Sequence, residues 1–145
     1  MSSRQQLESI LSAVPFVATL GIGVETSRPG DVVLRLPHKP ENTAHGGTIH
    51  TGALFTVGEL AASIAVGSHP SLASLAFLQK ASRIVYMRAS TQDVTAHAKI
   101  TTDIVEAVER SIATGKAQLE LPVRIADSRG VDLAEVVVLF NLRRP

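Results

Sequence analysis

His50, Gly52 and Glu59 stand close together in this 145-residue chain, at the head of a long run of small apolar residues. The apolar positions Ala53, Leu54, Val57, Leu60, Ala61, Ile64 and Ala65 recur at helical spacing. A helix apolar nearly all round belongs inside a protein or a membrane, so its single carboxylate, Glu59, stands where a charge is costly. That makes Glu59 the first candidate for acid or base work. Seven residues at about 100° per residue put Gly52 and Glu59 on one face, roughly 10 Å apart along the axis. Gly52 falls in the first turn, where backbone N–H groups lack helical partners and the dipole is positive. A carbonyl oxygen gaining negative charge is held well there, and glycine lets a ligand approach the backbone closely. The separation is long for one substrate atom. Two such helices packed antiparallel from two subunits bring the acid of one near the amide of the other, which points to a shared site. Plainer roles stay open: Glu59 as a structural acid paired with an Arg or a hydroxyl, His50 as a helix cap, and Gly46, Gly47 and Gly52 as loop or close-packing glycines.

Other chemistries find little support. His38, His45 and His50 are near in sequence, but their spacing fits no zinc pattern and the chain has no Cys, so no metal site and no cofactor are expected. No Gly-x-Ser-x-Gly stretch occurs to carry a serine nucleophile. A net charge of +1, one Tyr, four Phe and no Trp argue against nucleic acid. The N-terminus lacks the basic-then-apolar pattern of a signal peptide. His50 and Glu59 within the only long apolar run argue against insertion in a membrane. A cytoplasmic protein is the expectation.

Stepping through the chain, residues 3 to about 13 carry Leu7, Ile10 and Leu11, with Val14 beyond them, on one side, predicting a short amphipathic helix stopped by Pro15 that serves as a lid or brace. Runs from Gly21 to Thr26 and from Asp31 to Leu36 flank Ser27-Arg28-Pro29-Gly30 and predict a hairpin. Pro37 and Pro40 break the pattern before the long helix, which Gly67-Ser68-His69-Pro70 closes. The chain turns β-like from about Leu72, most clearly over Arg83 to Arg88, and again from Val94 to Ile100. Thr102 as N-cap, a stripe of Ile104, Val105, Val108 and Ile112, and Gly115 as a stop predict a second helix. Two final strands, Ala117 to Ile125 and Val131 to Leu142, flank the turn Asp127-Ser128-Arg129-Gly130. The sum is one α+β domain over residues 1–145, an antiparallel sheet around a long central helix.

This order, together with Phe16 to Ile22, the Pro29-Gly30 turn, His50 to Glu59 and Val85-Tyr86-Met87-Arg88-Ala89, resembles the hotdog-fold thioesterase superfamily over nearly the whole chain. The nearest likeness is to its phenylacetyl-CoA thioesterase-like branch and to uncharacterised bacterial relatives that carry the inserted helix. The resemblance implies a homodimer or homotetramer that hydrolyses an acyl-CoA or acyl-carrier thioester at a site shared between two subunits. His50 matches the motif histidine that orients the loop or substrate. Gly52 matches the second motif glycine, whose helix end polarises the carbonyl, and Thr51 stands at the first. Glu59 matches the acid thought to activate water or attack the thioester. Ala44 stands where an Asn is common, with Asn42 two residues away as its substitute and His45 as a further polar contact. Gln79 falls where some relatives carry a Ser, Lys80 resembles a Lys of the uncharacterised group, and Arg83 and Arg88 are candidates for coenzyme A phosphates. Two other classes remain: a hotdog enoyl-CoA hydratase or dehydratase, and a non-catalytic acyl-CoA or fatty-acid binding protein.

Overall fold

The long apolar run forms a helix that the rest of the chain is built to cover. The computed structural model describes residues 3–145. In chain order they form α1 (Ser3–Ser12), α2 (Pro15–Leu20), β1 (Gly23–Arg28), β2 (Asp31–Leu36), a 3-10 turn at Pro40–Asn42, α3 (Thr51–Ser68), β3 (Ala76–Tyr86), β4 (Val94–Lys99), α4 (Thr102–Ile112), β5 (Lys116–Asp127) and β6 (Asp132–Arg143). The six strands make one sheet in the order β1-β2-β4-β5-β6-β3, antiparallel at every pairing. The expected α+β class and wrapped central helix hold.

Period-two alternation along the strands decides which side chains meet the helix. On β5, Ala117, Leu119, Leu121, Val123 and Ile125 are buried, and on β6, Val136, Val138, Phe140 and Leu142. Opposite them α3 buries Ala53, Leu54, Val57, Ala61, Ala62, Ala65 and Val66. Small residues let the helix lie close to the sheet. A Cβ at Gly58 would stand 2.7 Å from Val136 Cγ2 and 3.1 Å from Ile125 Cδ1, so any larger residue must push those side chains aside. By length and composition α3 could cross a membrane, and half of it is buried inside this fold.

Several boundaries differ from the sequence expectation, each for a local reason. Pro15 does not merely stop α1; it opens α2 at the first helical turn, where its missing N–H is no loss. Gly21 is the left-handed C-cap of α2, so β1 begins at Gly23 rather than Gly21. Residues 69–75 are turns held by Leu72 N–H and Ala73 N–H donating to His69 O, and the strand predicted from Leu72 starts at Ala76. Thr101, not Thr102, caps α4, its side chain accepting from the Ile104 N–H. The predicted lid is a brace: α1 packs on β1 and α2, where Glu8 Oε1 accepts from the Val24 N–H at 3.4 Å.

If the Gly58 contact sets the helix-to-sheet distance, Gly58→Ala is expected to lower unfolding free energy by about 1–3 kcal/mol in urea titration, the range for overpacking a tight core. An unchanged midpoint would show slack between α3 and β6.

Candidate active site

The N-terminus of α3 is where unsatisfied donors collect, and acceptors within the chain meet all but one of them. His50 is the N-cap, with extended backbone. Its Nδ1 accepts from the Gly52 N–H at 2.8 Å. The Ala53 and Leu54 N–H groups both donate to His50 O, at 3.0 and 3.1 Å. The Gly52 amide, expected from sequence to be free, therefore already has an acceptor. Among the described residues the Thr51 N–H is the one first-turn amide without an acceptor. Accepting at Nδ1 requires the neutral His50 ring with its proton on Nε2, which leaves an Nε2–H donor on an exposed side chain. Gly52 also makes room for that cap, since a Cβ there would lie 3.0 Å from Nδ1.

Two backbone hydrogen bonds hold this helix end. The His50 N–H donates to Asn42 O at 2.8 Å, and the Ile49 N–H to Ser90 O at 3.0 Å. Asn42 itself is fully buried. Its Nδ2 donates to Leu20 O and Pro37 O, both at 2.8 Å, so its amide clamps α2 to the loop before α3. Ser90 is fixed in turn by Asp127, its hydroxyl donating to Oδ2 at 3.0 Å. Asp127 Oδ2 also takes Arg129 Nη2 at 2.8 Å, while Oδ1 accepts from the Arg129 and Val131 N–H groups. The Arg129 side chain holds the Asp127 carboxyl well below its ordinary value, to about 2, against the opposing effect of burial, with the Val131, Ser90 and Arg129 N–H or O–H donors helping. Sequence reading took Asp127-Ser128-Arg129-Gly130 only as a turn. An Asp whose side chain bonds the backbone two residues on is an Asx-turn signal, which could have marked it as an anchor.

Glu59 sits near the middle of α3 and is half-buried within one chain, less enclosed than its apolar surroundings in sequence implied. The reason is the strip it shares with Phe55, Leu60, Ser63 and Ile64, all half-buried, which the sheet leaves partly uncovered. Among the described residues Glu59 has no hydrogen-bond or ion-pair partner, so the structural-acid role finds none here. The other candidates scatter. His45 is exposed in the turn where Gly46 and Gly47 take positive φ, and the Gly47 O lies 2.7 Å from His38 Nε2. Gln79 is half-buried on β3 with its Nε2 donating to Ser82 Oγ at 2.9 Å. Lys80 is exposed at the bulge between Gln79 and Ala81, and Arg83 and Arg88 are exposed on and beyond the same edge strand. The structure thus brings His50, Thr51 and Gly52 together, with Asn42 behind them, and leaves Glu59 two turns along α3 and Gln79, Lys80, Arg83 and Arg88 on and just beyond β3. Among the described residues no group of three or more His, Asp or Glu is placed to hold a metal ion.

Comparison with known proteins gives this geometry its setting. Residues 3–141 match the family described as a domain of unknown function, DUF4442. No curated protein matches the chain. Among solved structures it is similar to a Pseudomonas aeruginosa protein of unknown function described as a "probable thioesterase", at 27% identity over 96% of this chain and 95% of that one, with a TM-score of 0.85. A Haemophilus influenzae thioesterase superposes with a TM-score of 0.77 at 14% identity, over 99% of this chain and 92% of that one. Zebrafish thioesterase superfamily member 2 does so with 0.76 at 18% identity, over 97% and 99%. The sheet wrapped on α3 is the hotdog fold of these proteins.

The Asp127 anchor has a pH signature. A carboxyl whose folded pKa is depressed stabilises fully above its ordinary 3.8, and that contribution fades as pH falls through about 2, because protonation then favours the unfolded chain. Asp127→Asn is expected to be less stable than the wild type at neutral pH, with the gap in thermal midpoint narrowing as pH drops below 3.8. A gap independent of pH would place the loss in packing rather than charge.

Proposed function

We propose, from the premise that the chain belongs to the DUF4442 family, that it is an acyl-CoA thioesterase whose site forms between two copies of the chain. The observation that carries this reading is the pairing of two unsatisfied groups on one apolar helix: the free Thr51 N–H at its positive end and the unpartnered Glu59 carboxylate on its uncovered strip. Glu59 takes a proton from a water; the resulting hydroxide adds to the thioester carbonyl. The Thr51 amide and helix dipole hold the oxyanion, a donor placement worth about 3 kcal/mol. Collapse of the intermediate breaks the C–S bond, and the departing thiolate takes the proton held by Glu59, which gives the carboxylic acid and free thiol and restores the carboxylate. His50 keeps the helix end in shape and offers its Nε2–H to the substrate.

One helix cannot present both groups to one carbonyl, because they lie about 12 Å apart along the axis. A second copy can. β3 is an eleven-residue edge strand with exposed apolar residues at Phe77, Leu78, Val85 and Tyr86 and at Met87 just beyond it. Such an edge invites pairing with another chain. Antiparallel pairing of two β3 strands would set the two uncovered α3 strips side by side in opposite senses. Arg83 on that strand and Arg88 just beyond it, both exposed, are then available to coenzyme A phosphates. The likeness to the phenylacetyl-CoA thioesterase branch rests on the motif alone. A second reading, a non-catalytic acyl-binding protein, gains from Asn42: fully buried, with its Nδ2 donating to Leu20 O and Pro37 O, it does not offer that nitrogen to a ligand in place of the Asn absent at Ala44.

Thiol release from a panel of acyl-CoAs decides between the two. Wild-type protein is expected to release thiol, and Glu59→Gln to abolish release while folding normally; saturable acyl-CoA binding with no released thiol would favour the second reading. Thr51→Pro is a sharper probe. Proline suits the first helical position and removes only an unbonded N–H, and His50, at φ −63° and ψ 136°, already has the extended backbone that precedes proline. Turnover is expected to fall by about 10²–10³ with the melting temperature unchanged. Unimpaired turnover would put the oxyanion elsewhere.

A further inference from the structure

Two copies related by a two-fold axis meet so that when residue i of one faces residue j of the other, j also faces i. For Thr51 of one copy to face Glu59 of its partner on antiparallel α3 helices, the axis must cross the helix midway between them, at Phe55. Phe55 is half-buried on the uncovered strip, four residues from either one, the spacing that sets side chains next to each other on a helix face. The sheet points to the same level independently. β3 runs back along α3, since its first turn of chain places the Phe77 ring at Gly67, while Ile84 stands opposite Val136, the residue that meets Gly58. Val85, Tyr86 and Met87, consecutive, apolar and exposed, therefore follow Ile84 toward the N-terminal half of α3, where Phe55 lies.

From Glu59 the seam differs in its two directions. Toward the axis it meets Phe55, and by symmetry Phe55 of the partner subunit, after about 6 Å along the helix. Away from the axis it turns polar. Ser63 follows Glu59 by one turn and is half-buried. On β3, Ser82 and Gln79 come next in that direction, opposite Val138 and Phe140, both fully buried against α3. The bulge between Gln79 and Ala81 supplies the extra residue that lets positions three apart share the α3-facing side. Gln79 Nε2 donates to Ser82 Oγ at 2.9 Å, and among the described residues the pair keeps an acceptor at Gln79 Oε1 and a donor at the Ser82 hydroxyl to offer.

We infer that the Phe55 rings of the two copies pack against each other on the axis and form one end wall shared by both sites, which limits the substrate to a short acyl chain. The acyl group lies toward the axis, where an aromatic wall suits apolar carbon. The amide-bearing pantetheine arm lies the other way, along Ser63, Ser82 and Gln79, because its amides need hydrogen-bond partners once water is excluded. A long chain has to displace two rings that hold each other in place. The inference deepens the shared-site thioesterase reading and rests on it.

The chain has no Cys, so Phe55→Cys introduces a single thiol in each copy. A short bismaleimide is expected to join Phe55→Cys copies into a covalent dimer on a denaturing gel. It is expected to leave Ser63→Cys copies separate, because those positions stand about 24 Å apart along the two helices. No covalent dimer from Phe55→Cys, or an equal yield from Ser63→Cys, overturns the inference whether or not the protein releases thiol. Over acyl-CoAs from acetyl to decanoyl, the wild type is expected to favour butyryl over decanoyl in kcat/KM. Phe55→Ala is expected to raise the decanoyl-to-butyryl ratio by at least about tenfold, the scale on which an apolar pocket discriminates by one methylene, with Phe55→Leu falling between. A wild type that favours decanoyl, or a ratio that Phe55→Ala leaves unmoved, also overturns it. Absence of thiol release from every acyl-CoA would defeat the proposed activity alone, and the same ratio is then read from acyl-CoA binding.

Discussion

A helix with almost no polar face has to be covered, and that constraint organises the molecule. α3 is eighteen residues long, and the apolar side chains of β2, β4, β5 and β6 close over one side of it. Gly58 lets its backbone approach β6 closely enough for Val136 and Ile125 to pack on it. One chain does not complete the cover. Phe55, Glu59, Leu60, Ser63 and Ile64 stay half-buried, beside an edge strand whose own apolar residues are exposed. An association that covered both the strip and the unpaired edge would satisfy both, and the single carboxylate of the helix lies within the strip.

The helix end is organised with equal economy. Of the first four N–H groups of α3, three have acceptors supplied by His50 alone, two at its carbonyl and one at its imidazole. The residue is held by hydrogen bonds at its own N–H and at its neighbour Ile49, leading to Asn42 and to Ser90, and from Ser90 to Asp127 and Arg129. A donor left over in such a rigid frame is preorganised, since it need not move to meet a developing charge. The Thr51 amide has that character, and its side chain takes no part in it.

Much of the fold was legible in the sequence because it rests on periodicity. The 3.6-residue repeat of α3, the two-residue alternation of β5 and β6, and the turns at Pro29-Gly30 and Arg129-Gly130 each carry local signals. What escaped depends on contacts between distant segments. Pro15 reads as a stop, and only the burial of Val17 and Leu20 makes it a start. The exposure of β3 is a matter of its place at the sheet edge, which residue types do not reveal. At the site, His50 and Glu59 stood out by spacing, yet the choice between the Gly52 and Thr51 amides turns on one imidazole bond. Asn42 is placed by the nearby Pro37 carbonyl together with the Leu20 carbonyl, 22 residues away in sequence.

The shared site is tested most directly by hybrid oligomers. Protomers carrying Glu59→Gln, mixed with protomers carrying Thr51→Pro, form pairs in which one site has both lesions and the other has neither. The expected result is thiol release restored to about half the wild-type rate per hybrid pair, from two proteins that are separately inactive, as intermolecular complementation requires. Hybrids that form and stay inactive would contradict a site built across two chains.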